Sequence, residues 1–147
     1  GVWVGGSRSA SEFISRKLWE KFVFPYFKQM VDTVSNEGVI PVFHMDSNWE
    51  RDLEYFRGMP KNKCVFSPDG ATDIFKIKEV LGDMMCIMGD VPAAMFAIGT
   101  PEEVYNYSKK LMKEIGPEGF ILAQGCDIPT NAKPDNVKAM ISAATGK

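Results

Sequence analysis

The chain has 147 residues, 45% of them hydrophobic and 24% charged, an ordinary globular balance with enough length for one domain and a real core. A net charge of −2 gives no basic footprint for nucleic acid or anionic lipid. No apolar run approaches a membrane span, no signal-peptide pattern opens the chain, and an odd count of three cysteines argues against a full disulfide framework, with a reducing cytoplasm the simplest setting.

Val2-Trp3-Val4 is short, apolar and β-prone, and reads as the end of a strand before Gly5-Gly6. A polar loop follows, from Ser7 to Ser11. From Glu12 to Asn36 apolar residues recur at helical spacing, with Pro25 inside the pattern, which predicts two helices or one kinked helix. Asn36-Glu37-Gly38 ends that stretch, and Val39 to Phe43 reads as a buried strand. Trp49 to Arg57 is a short helix closed by Gly58. Lys63 to Phe66 is a weak strand, Thr72 to Leu81 a helix, and Met84 to Met88 a further strand ending at Gly89-Asp90. Thr100-Pro101-Glu102-Glu103 is the clearest helix start: Thr100 caps, Pro101 fits the first turn and Glu103 completes a capping box. That helix runs to Ile115. Gly119 to Ala123 is a last strand, and Asp135 to Ala144 a last helix.

Strands alternating with helices predict an α/β fold with a parallel sheet. Four full strands and a fragment of a fifth fall short of the eight of a closed barrel. A partial barrel exposes two sheet edges, which pairing with a missing half or with a second copy of the chain would cover.

The strand at Pro41-Val42-Phe43 stops in His44-Met45-Asp46, which carries the only histidine, and the strand at Phe120 to Ala123 runs into Gln124-Gly125-Cys126. If these two strands lie side by side, His44, Asp46 and Cys126 converge at the C-terminal edge of the sheet. On the residues alone two readings stand. The three can hold a metal with one position open, as a catalytic zinc site requires, or His44 can cap a strand end beside an inert Cys126. Asp69 and Asp90 also fall at strand ends, where they could bind a substrate or cofactor or orient a ligand. For Asp69 helix capping is the default. Cys64 and Cys86 read as core residues. Arg8 could meet an anionic substrate, with a solvated loop arginine as the plainer alternative. Trp19, Phe22, Phe24, Tyr26 and Phe27 are too crowded for one helix face, and predict core plus a partner surface. With one histidine, most Ser/His/Asp triads are excluded.

Several stretches together resemble the C-terminal half of the uroporphyrinogen decarboxylase superfamily, which also contains zinc-dependent, corrinoid- or cobalamin-linked methyltransferases. They are Trp19 to Lys28, the strand Gly38 to Asp46 with its Gly38, Pro41 and His44, Met88-Gly89-Asp90-Val91-Pro92, Gly99-Thr100-Pro101-Glu102-Glu103-Val104, and Gly119 to Pro129 with Pro134 to Met140. The resemblance implies a TIM-type (β/α)8 barrel with its site at the C-terminal strand ends. In the methyltransferase branch a His-x-Cys pair and a late Cys bind zinc. Those positions fall here on His44, Asp46 and Cys126, so an aspartate stands where that branch has its middle cysteine. Asp90 likewise replaces an asparagine. The decarboxylases act without metal and usually have histidine where Cys126 stands. The resemblance thus implies a methyltransferase in which zinc activates a thiol or related acceptor, with a corrinoid or cobalamin as methyl donor or acceptor, free or on a partner protein. A metal-free decarboxylase of porphyrin biosynthesis and a silent, self-associating fragment are the alternatives.

Overall fold

The computed structural model describes residues 1–146, and of Arg8 the backbone only. The reading of the Arg8 side chain therefore lies outside the described residues. Five strands, β1 (Val2–Gly5), β2 (Pro41–Met45), β3 (Val65–Pro68), β4 (Cys86–Val91) and β5 (Phe120–Gln124), form one parallel sheet in chain order. Seven α-helices fill the connections: α1 (Arg16–Phe22), α2 (Phe24–Asn36), α3 (Leu53–Phe56), α4 (Ile74–Leu81), α5 (Ala93–Ile98), α6 (Pro101–Glu114) and α7 (Pro134–Thr145). Short 3₁₀ turns at Ser7–Ser9, Ser11–Phe13 and Glu50–Asp52 complete the described set. This is part of a TIM-type barrel.

Strand alternation sorts the side chains into two faces. Phe43, Met45, Phe66 and Ile87 point outward and are buried against Phe27, Val31, Phe56, Ile74, Ile77 and Leu81. The rings of Phe27, Phe43, Phe56 and Phe66 meet mostly edge to face. Each of these large side chains contributes about 1.5–3 kcal/mol by leaving water. The other face carries Trp3, Val42, His44, Ser67, Met88 and Ile121, and stays partly open, with Trp3 and Ile121 exposed.

The long apolar pattern before β2 divides where Pro25 predicts, since Pro25 sits in the first turn of α2, where its missing N–H costs nothing. The aromatic run there divides too: Trp19 and Phe27 are buried, whereas Phe22 and Tyr26 face solvent. The capping box at α6 forms as expected: the Thr100 amide donates to Glu103 (2.8 Å), and the Glu103 amide to the Thr100 hydroxyl (3.2 Å). Helix α5 escaped the sequence pattern because it has six residues and no side-chain cap. Cys64 is buried as expected, but Cys86 is only half-buried, because it starts β4 on the open face.

The loop after β1 is tied to the turn before α3 by a buried carboxylate. Asp52 accepts from the Ser11 hydroxyl (2.6 Å) and the Ser11 amide (3.2 Å), and the Arg16 guanidinium lies 3.8 Å away. Arg51 donates to the same Ser11 oxygen, and the Trp19 indole N–H donates to the Ser9 carbonyl (2.7 Å).

Candidate metal centre

His44 is the fourth residue of β2 and lies on its inner face, opposite Ser67 of β3 and Gly5 of β1. Asp46 follows where the strand ends. The chain turns sharply there, with Ser47 at φ +78°. Four contacts fix that turn. The Trp49 indole N–H donates to the Asp46 carbonyl (2.6 Å). The Thr72 hydroxyl accepts from the Trp49 amide (2.9 Å) and donates to the Ser47 carbonyl (3.0 Å). Asp69 accepts from the Ser47 amide (3.2 Å). None of the chemistry-bearing partners Trp3, Trp49 and Thr72 stood out in the sequence, because no spacing rule links residues that meet only through the loops.

Cys126 arrives from the far edge of the sheet. β2 and β5 are not neighbours; β3 and β4 lie between them. The side-by-side arrangement under which the sequence brought the three residues together is not the one found, yet the residues still meet. Sheet curvature lets strands across the partial barrel face one another, and the loop after β5 folds back over β3. Gly125 makes this possible, since a Cβ there would stand 2.9 Å from the Asp69 carbonyl oxygen. The Gly125 amide donates to the Val91 carbonyl (2.9 Å).

The outcome is a three-residue cluster. His44 Nε2 lies 3.8 Å from Cys126 Sγ and 3.2 Å from Asp46 Oδ1, and all three ligand atoms lie within 4.8 Å of one another. A tetrahedral zinc with bonds of about 2.0–2.3 Å sets its ligands about 3.3–3.8 Å apart; the His44–Cys126 edge of 3.8 Å falls within that range, and the His44–Asp46 edge of 3.2 Å lies just short of it. His44 is mostly enclosed and Asp46 about one-third exposed. A cavity of about 410 Å³ opens beside the cluster, lined by Trp3, His44, Ser67, Met88, Gln124 and Cys126 among others.

The other two strand-end carboxylates go elsewhere, and neither is among the residues lining that cavity. Asp69 does not cap α4. Asp73 does so, accepting from the Phe75 amide (2.9 Å), whereas Asp69 braces its own turn at Ala71 (2.8 Å) and the turn after Asp46. Asp90 is buried and accepts from the Tyr107 hydroxyl of α6 (2.9 Å). Strand alternation breaks at Gly89, at φ +142°, leaving Asp90 and Val91 both buried. Desolvation pushes the Asp90 carboxyl up to about 6, against the opposing pull of the Tyr107 hydroxyl. Burial and the nearby Asp90 charge push the Tyr107 phenol well above its ordinary range.

A barrel-type sheet with a His, Asp and Cys cluster at its C-terminal ends defines a class, and comparison with known proteins gives the family. The model of the family described as Uroporphyrinogen decarboxylase (URO-D) matches residues 4–146, and the chain belongs to that family. It is 29% identical over 133 residues to the methylcobamide:CoM methyltransferase MtbA of Methanosarcina acetivorans, and 31% identical over 137 residues to that of Methanosarcina mazei. Each alignment covers 90% of this chain and 38% of the relative, so the chain spans well under half the length of these relatives. A uroporphyrinogen decarboxylase from Chlorobium phaeovibrioides is 26% identical over 135 residues. Among solved structures, a methyltransferase from Methanosarcina mazei superposes with a TM-score of 0.80 at 19% identity, over 98% of this chain and 41% of that one. This likeness establishes the fold as part of a barrel.

Proposed function

We propose that the chain forms the C-terminal part of a corrinoid-linked methyltransferase whose His44, Asp46 and Cys126 hold zinc. The observation that carries this reading is the meeting of these three ligand atoms within 4.8 Å, drawn from β2 and β5 with two strands between them. The two methylcobamide:CoM methyltransferases among the relatives support it. Zinc in such a site, with three protein ligands and one open position, lowers the pKa of a thiol that reaches it. The protein's own part is to hold and aim. His44 comes from the end of β2, Cys126 from the loop after β5, and Asp46 from a turn clamped by Trp49, Thr72 and Asp69. The adjoining cavity admits a small acceptor and leaves it facing the mouth of the barrel, where a corrinoid, free or carried by another protein, would present the methyl group.

The purified chain, supplied with zinc and freed of excess, is expected to carry about one zinc by elemental analysis. His44→Ala and Cys126→Ser are each expected to lose it. A metal-free wild type would sink this reading and leave the metal-free decarboxylase and the silent fragment. Because a thiolate suits zinc better than a carboxylate does, Asp46→Cys is expected to bind zinc more tightly than the wild type in a chelator competition.

We further propose that the open face is covered by three more βα units rather than by a second copy. Five strands plus three make the eight of a closed barrel, whereas two copies would bring ten. The groove that would receive them lies along β1, between Val2–Gly5 and the α2 residues Gln29, Met30, Thr33 and Val34. Among the described residues no helix is long and apolar enough to cross a membrane. All three cysteines are free, which supports a cytoplasmic setting.

A further inference from the structure

Trp3 adds little to the core. It lies on the inner face of β1, opposite Val42 and one pleat below His44, and is 58% exposed. Yet its indole stacks on the His44 imidazole, with ring centroids 4.8 Å apart and planes 28° from parallel. A ligating histidine is ordinarily oriented through its second nitrogen, which donates to a carbonyl, a carboxylate or water. Among the described residues that device is missing here. His44 Nδ1 is wholly enclosed and has no hydrogen-bond partner. The second torsion of a histidine is broad and soft, so an imidazole without a clamp wanders about it. Nε2, in contrast, faces both Cys126 Sγ and Asp46 Oδ1.

We infer that Trp3 is the positioning residue of the candidate metal centre: its indole holds the plane of the His44 imidazole in place of the absent hydrogen bond, so that Nε2 faces Cys126 and Asp46. The consequence for zinc rests on the reading proposed above; the stack itself does not. A residue that merely filled the barrel interior could be replaced by any large apolar side chain. A platform has to be flat. Both roles fit a tryptophan, and they separate when leucine and phenylalanine are compared at this position.

The chain has one histidine, so its ring resonances are unambiguous. We would compare the wild type, Trp3→Phe and Trp3→Leu by proton NMR of the metal-free protein and by zinc affinity in a chelator competition, with the backbone amide spectrum reporting that each variant is folded. In the wild type, the His44 ring protons are expected to be shifted upfield by the stacked indole. In Trp3→Leu that shift is expected to vanish and zinc affinity to fall roughly ten- to hundredfold. Trp3→Phe is expected to recover most of both. Zinc binding by Trp3→Leu as tight as wild type, or no rescue by Trp3→Phe, overturns the inference. If the wild type holds no zinc, the methyltransferase reading fails and the ring protons decide alone: loss of the shift in Trp3→Leu, with recovery in Trp3→Phe, upholds the platform, and an unchanged shift overturns it.

Discussion

Asp52→Ala is expected to lower the unfolding free energy by about 3 kcal/mol, a large part of the total of about 5–15 kcal/mol typical of a domain. Asp52 is fully buried, and its carboxylate is the acceptor for both the hydroxyl and the amide of Ser11, itself fully buried. Removing it leaves two buried donors without an acceptor, each costing about 1–3 kcal/mol. It also leaves Arg16 and Arg51 turned towards a site without its anion. Asp52→Asn keeps the shape but sets an amide against the Ser11 N–H, so an intermediate loss is expected. Urea unfolding followed by tryptophan fluorescence measures both, and Trp19 and Trp49 are buried enough to report it. A midpoint unchanged in Asp52→Ala would show that the network contributes nothing net.

Asp90→Asn is expected to stabilise the protein at pH 7, by about 2 kcal/mol. Folding raises the Asp90 carboxyl from its ordinary value of 3.8 to about 6, chiefly through burial. Between those values the folded state binds more protons than the unfolded state, so stability falls as pH rises from about 4 to about 6 and then levels. The ionised form is thus the costly one at neutral pH. Asparagine can still accept from the Tyr107 hydroxyl without carrying a charge into the core. Denaturation midpoints taken across that pH range are expected to show a downward slope in the wild type that the variant lacks. A wild type that gains stability over the same range would mean that Tyr107 and the surrounding dipoles outweigh desolvation.

The three strand-end carboxylates also show how far the sequence could be read. Position after a strand identified Asp46, Asp69 and Asp90 alike as candidates for the site. Only Asp46 reaches the cluster, because direction beyond a strand end depends on the turn. Ser47 bends the chain one way after β2, and the alternation lost at Gly89 turns Asp90 towards α6. The parallel α/β order was legible because apolar periodicity and the Thr100–Glu103 capping box are local signals. The approach of His44 and Cys126 could be anticipated from their matching places after two strands. The route was not as expected, since two strands intervene and curvature brings them together. The stacking of Trp3 on His44 is not legible in the sequence, because it depends on what stands one pleat above Trp3 on a neighbouring strand.

Strand order equals chain order throughout, so each strand can join the sheet as soon as the one before it is in place. The contact between His44 and Cys126 is the exception, spanning 82 positions in sequence. It can form only after the last strand has docked. Any ion gripped at both ends would therefore act as a late staple, closing the longest chemically significant loop of the chain and resisting peeling of β5 from the sheet. Proteolytic nicking between β4 and β5 would then be slowed by metal, although the cut lies far from the ligands.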